Sequence, residues 1–176
     1  MRAYYFDNIP GDQRLLHDSG REVSAEQLRR IGVLHWRLPS TEDNVVDDIA
    51  RERDYKNRDK INVTKEGLGD LYESKIKSFF EEHLHHDEEI RFIQSGSGFF
   101  DVREQPRDEW IRIHVTPGDL IIIPMGIYHR FTLDEGNAIQ AIRLFKDEPK
   151  WVPHNRSSET EQHAERQAYL RSVAVA

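Results

Sequence analysis

Glu82-His83-Leu84-His85-His86-Asp87-Glu88-Glu89-Ile90-Arg91 divides the chain into two textures. From here onward apolar residues alternate, or run in short β-branched blocks, at 90–93, 98–102, 110–113, 120–123, 129–132 and 139–145. Turn-forming groups separate these blocks: Ser95-Gly96-Ser97-Gly98, Pro117-Gly118-Asp119, Met125-Gly126 and Glu135-Gly136-Asn137. Six short strands punctuated in this way predict an antiparallel barrel or sandwich.

Upstream, the periodicity is helical. Ser24-Ala25-Glu26-Gln27 forms a capping-box pattern, with Leu28 and Ile31 as the apolar stripe and Gly32 as the stop. Val45, Val46 and Ile49 predict a second helix, and Tyr72, Ile76, Phe79 and Phe80 a third over 70–80. The residues after Ser157 are polar, with a weak helical stripe near 159–170. The expectation is a single α+β domain over 1–176, mainly β, with short N-terminal helices in 1–80. A β-barrel core follows at 81–150 and a polar tail at 151–176.

Composition narrows the function. The 176 residues carry a formal net charge of −7, against a general nucleic-acid or anionic-membrane binder. Mean hydropathy is −0.76, yet the chain holds 3 Trp, 6 Tyr and 8 Phe, enough for a compact core under a charged surface. The absence of cysteine excludes disulfide scaffolds, thiolate metal sites and thiol nucleophiles. No stretch has the length of a membrane span or a secretory core, so the expected location is the cytosol.

Side chains alternate faces along a strand, so His83 and His85 point the same way, and Glu89 and Arg91 share their parity if the strand continues unbroken. Two imidazoles and a carboxylate are three parts of a divalent-metal site with mixed nitrogen and oxygen donors. Gly118 to His129 reads as strand, Pro/Gly turn and returning strand, able to bring His129 back to the other three. Any single His-x-His among nine histidines is ordinarily solvated surface, and ligation gains weight only when both segments are taken together. His86 falls on the opposite face. His17, His35, His114, His154 and His163 have no ligand-like companions in the sequence and read as ordinary structural residues.

The two segments resemble the paired motifs of the cupins: His83, His85, Glu89 and Gly96 in the first, Gly118, Pro124, Gly126 and His129 in the second. Lys77 stands where many cupins have a leading glycine, and Leu133 replaces a frequent asparagine; neither is a ligand position. Within the cupins the chain is similar to the acireductone dioxygenases of methionine salvage, in a eukaryotic, fungal-like form. The runs that carry this are 54–59, 81–91, 98–103, 110–112, 126–133, 143–145 and 148–151, and the similarity fades after Arg156.

The resemblance implies a cupin-type barrel or jelly roll holding one Fe2+ or Ni2+ on His83, His85, Glu89 and His129. It implies an acireductone substrate, 1,2-dihydroxy-3-oxo-5-(methylthio)pent-1-ene, cleaved with O2. The Fe2+ form would give 4-methylthio-2-oxobutanoate and formate, the Ni2+ form 3-(methylthio)propanoate, formate and CO. Arg91, a permanent cation with several donors, is expected beside the substrate anion as a catalytic and binding group. Its alternative is a surface ion pair. Phe79 and Phe131 resemble positions that line the substrate cavity, with core packing as the alternative. Nuclear as well as cytosolic residence is a family-level expectation, and barrel closure would leave no sheet edge for pairing, favouring a monomer. A metal-dependent cupin isomerase or epimerase and a non-catalytic cupin binding module are the competing functions. The complete ligand set argues against the second, the family-specific runs against the first.

Overall fold

The computed structural model describes residues 1–39 and 43–174. Among them, β1 (Arg2–Phe6), β2 (Asp18–Glu22), α1 (Ala25–Arg30), β3 (Leu34–Arg37), α2 (Asp43–Glu52), β4 (Asn57–Val63), α3 (Lys65–Leu68) and α4 (Tyr72–Phe80) make up the first part. They are followed by β5 (His83–Leu84), β6 (Glu89–Gly96), β7 (Gly98–Arg103), β8 (Trp110–Val115), β9 (Asp119–Ile123), β10 (His129–Leu133), β11 (Ile139–Phe145), β12 (His154–Asn155) and α5 (Ala164–Val173).

The strands form two antiparallel sheets. One has seven strands in the order β12-β5-β10-β7-β8-β1-β2, the other five in the order β3-β9-β6-β11-β4. No ladder among the described residues joins them, so the expected closed barrel is instead two sheets with open edges. The edge-free argument for a monomer therefore has no basis here. One apolar cluster draws on both sheets, with Phe100, Ile111 and Ile113 from one and Ile93, Ile121 and Ile123 from the other. The opposite face of the five-stranded sheet is also covered: Ile90, Phe92, Leu120, Ile122 and Leu144 pack with Val46 and Ile49 of α2. Burial on both faces is why 120–123 reads as an unbroken apolar run rather than an alternating one.

The three N-terminal helix readings hold. Ser24 and Gln27 close a full capping box on α1, and Gly32 takes φ of +83° just past its end. The picture of helices followed by strands does not hold. Four strands, β1 to β4, interleave with those helices and join both sheets. β4 was hidden because it is an edge strand rich in charge, Asn-Arg-Asp-Lys-Ile-Asn-Val. Nor are the helices all N-terminal: α5 follows the strands and docks on them. Its Arg166 and Tyr169 are buried, Arg166 donating to the Gly126 carbonyl and the Tyr169 hydroxyl to that of Ile31. Gly126 has φ of +75°, and a Cβ there would meet the Glu165 carbonyl oxygen at 2.3 Å, so a glycine is what lets α5 approach. No described helix is long and apolar enough to cross a membrane.

Candidate metal centre

His83, His85, Glu89 and His129 converge as the sequence suggests, but by a different route. β5 ends at Leu84, the chain crosses from the seven-stranded to the five-stranded sheet over 85–88, and Glu89 opens β6 on the far side. His83 and His129 face each other in register on β5 and β10 of one sheet. Glu89 and Arg91 reach the same interior from the other. The parity reading of one continuous strand grouped the right residues while missing the crossover.

The four side chains each offer a ligand atom, all within 4.8 Å of one another. Ring centroids of the three imidazoles lie 4.5 to 5.2 Å apart. The backbone fixes their tautomers. Nδ1 of His83 donates to the Glu81 carbonyl at 2.6 Å, that of His85 to Val152 at 2.6 Å, and that of His129 to Ile127 at 3.1 Å. With each Nδ1 spent on a carbonyl, each Nε2 presents a lone pair. The sequence could not name these acceptors, because they are main-chain atoms.

That arrangement is incomplete without a cation. Glu89 Oε2 lies 3.1 Å from Nε2 of His85 and 3.3 Å from Nε2 of His129. His85 Nε2 is buried with no hydrogen-bond partner. Lone pairs and a carboxylate oxygen pressed together in a buried site repel unless a positive ion lies among them. Three imidazoles and one carboxylate are the donor set for a divalent transition ion, so the residues fit such a group.

Protonation states agree. Burial pushes the His83 imidazole down to about 3, with His129 and His85 adding to the effect, which keeps it neutral. Burial alone would raise the Glu89 carboxyl. The fixed charge of Arg91 beside it opposes burial, and Glu89 lies well below the usual carboxylate range. Arg91 is itself buried; Nη2 lies 3.3 Å from Glu89 Oε1 and Nη1 donates to the Ile90 carbonyl. The surface ion pair is thus excluded.

A cavity between the sheets opens onto His83, Glu89 and His129 and is lined by Arg91, Phe79 and Phe131. Phe79 and Phe131 meet edge to face at 6.3 Å, and Phe131 also packs at 4.9 Å on Phe100. Two further lining residues were not singled out from the sequence. Trp151 stands 5.3 Å from the His83 ring, 5.6 Å from His85 and 5.4 Å from Phe79. Arg143 sits directly opposite Arg91 across β11 and β6, with its guanidinium paired to Asp59. Both lie in runs already noted as family-like, but only the strand register brings them to the cavity.

Two antiparallel sheets with a His3Glu cluster between them define a metal-binding protein of cupin-like architecture. Residues 2–153 match the ARD/ARD' family, and the chain belongs to it. It is 64% identical over 181 residues to acireductone dioxygenase 1 of Coprinopsis cinerea, covering 99% of each chain. It is 58% identical to the acireductone dioxygenase of Phaeosphaeria nodorum, covering 97% of this chain and 96% of that one. Among solved structures, acireductone dioxygenase from Bacillus anthracis, with a cadmium ion in its active centre, superposes with a TM-score of 0.66. That pair shares 27% identity and covers 74% of this chain and 87% of the other.

Proposed function

We propose that this chain is the acireductone dioxygenase of methionine salvage, cleaving 1,2-dihydroxy-3-oxo-5-(methylthio)pent-1-ene with O2. The observation that carries the reading is the inward-facing set His83, His85, Glu89 and His129, with Arg91 buried against it. An Fe2+ or Ni2+ ion held by these four residues would supply Lewis acidity for the enediolate anion. Arg91 supplies the fixed positive charge. It compensates the Glu89 carboxylate and presents its remaining N–H groups to the substrate anion, already oriented before charge builds up. The carbonyls of Glu81, Val152 and Ile127 hold the imidazoles in one tautomer throughout. Phe79 and Phe131 form the apolar wall suited to the methylthio end, and Trp151 covers the imidazole edge and excludes water.

The finer assignments follow from the resemblance of the motifs. The strands are arranged as a cupin jelly roll, and the Fe2+-loaded protein gives 4-methylthio-2-oxobutanoate and formate. The Ni2+-loaded protein gives 3-(methylthio)propanoate, formate and CO. Apo-protein reconstituted separately with each ion, mixed with acireductone and followed by O2 uptake and product identification, tests the reading. Turnover without O2 uptake would instead identify a cupin isomerase, and identical products from both forms would remove the metal-dependent branching.

A further inference from the structure

Among the described residues a second group of three histidines comes together outside the first. His86 lies in the crossover after β5, His154 on β12, and His163 at the N-cap of α5. Sequence spacing leaves His154 and His163 without ligand-like companions; the docking of β12 and α5 supplies them. We propose that His86, His154 and His163, with Glu165, form a second site for a divalent transition ion of the zinc or nickel kind.

Four observations point this way. The ligand atoms of the three imidazoles lie within 4.8 Å of one another, as in the first site. Their ring centroids are 4.0 to 5.1 Å apart, against 4.5 to 5.2 Å there. Glu165 Oε2 stands 3.7 Å from His86 Nε2, so the donor set is again three imidazoles and a carboxylate. His86 is exposed, which gives an ion a way in.

Only small motions are needed to bind one. Bonds of about 2.0–2.1 Å in a tetrahedron place donor atoms about 3.3 Å apart. His86 Nε2 and His163 Nδ1 are already 3.0 Å apart in a hydrogen bond. Whichever ring donates there changes tautomer, its proton moving to the other ring nitrogen, and both atoms then offer lone pairs. The His86 and His154 rings are stacked with planes 7° apart, so they must fan open to aim at a common ion. The exposed His86 ring has room to turn.

An ion here would fasten β12 and α5 to the crossover between the sheets. β12 begins two residues after Val152, whose carbonyl anchors His85, and close behind Trp151, whose ring packs on that imidazole. The second site would thus act as a staple on the segment that closes the cavity.

Equilibrium dialysis of apo-protein against Zn2+, with metal analysis, decides the matter. The wild type should bind two ions per chain. His163→Ala and His154→Ala should each bind one, with unchanged far-UV circular dichroism. His129→Ala should also bind one, and the His129→Ala/His163→Ala double variant none. If His163→Ala and His154→Ala, folded by circular dichroism, bind as many ions as the wild type, the second site is overturned.

Discussion

Oε1 of Glu89 and Nη2 of Arg91 stand 3.3 Å apart, two positions along β6, while Oε2 of the same carboxylate turns to the imidazoles of His85 and His129. One oxygen is thus neutralised by a fixed cation and the other left to a mobile one. This ties the charge of the cavity-lining Arg91 guanidinium to the state of a carboxylate in the His3Glu group. Both are buried, so neither can be compensated cheaply by water.

Arg91→Ala should therefore retain its metal at neutral pH and lose activity. Loss of one preorganised charge-assisted donor typically lowers the rate by about 10²–10³. Arg91→Lys should recover part of this, because an ammonium keeps the charge without the planar fork. Steady-state kinetics on protein of measured metal content checks it; wild-type turnover in metal-replete Arg91→Ala would leave the substrate anion without this partner.

The same pair sets an acid limit on metal binding. Glu89 is depressed in the folded protein, so its ligand form persists down through the ordinary carboxylate range and is lost only as pH falls through the lower folded value. Removing Arg91 raises that folded value, so metal release on acidification should begin at higher pH in Arg91→Ala than in the wild type. Metal retention after gel filtration at stepped pH measures the shift. Coincident release curves would show that Arg91 does not govern Glu89.

His83 gives apo-protein a second pH dependence with the same sign. Its folded value, about 3, lies below the ordinary imidazole value of 6.5, so the unfolded chain binds more protons in between. Apo-protein should lose thermal stability as pH falls from 6.5 toward 3, and His83→Asn should flatten part of that slope. Scanning calorimetry on both proteins tests this; parallel slopes would exclude His83 as a contributor.

Much of this site was legible in the sequence because ligands lie at fixed spacings beside turns. His83, His85 and Glu89 are spaced by the crossover, and Gly118, Pro124 and Gly126 build the turn that returns His129. What escaped depends on long-range register. Arg143 reaches the cavity only through its pairing with Arg91, and Trp151 only because β12 adds to β5. β1 to β4 escaped because four to seven residues, partly charged, give too short a pattern to outweigh neighbouring helical signals. The His86 group escaped because its members are 68 and 77 residues apart from the first, and no local spacing connects them.

Trp151→Ala should weaken substrate binding more than it slows chemistry. The indole touches two imidazoles and Phe79 by ring edges but offers no ligand atom. A raised KM with a smaller change in kcat is expected, with metal content unchanged. A selective fall in kcat would place the indole in the transition state instead.

The last prediction concerns stability away from the site. Asp101 is 1% exposed and sits between Arg112 and Arg130 on neighbouring strands, accepting hydrogen bonds from both. Arg112 is 0% exposed; its Nη1 also donates to the carbonyls of Gln13 and Leu15, and Phe6 and Phe99 lie 4.6 Å from its guanidinium carbon. This row pins residues 13–15 to the outer face of the seven-stranded sheet. Asp101→Asn leaves two guanidinium groups sharing a buried space without a counter-charge, and breaking such a buried pair typically costs about 3–5 kcal/mol. Arg112→Met should cost less, since Asp101 then keeps Arg130 and the methionine fills the apolar contacts with Phe6 and Phe99. Urea unfolding of the two variants gives the order directly. Equal losses, or a greater loss for Arg112→Met, would mean that the carbonyl contacts of Arg112, rather than the charge of Asp101, hold this face together.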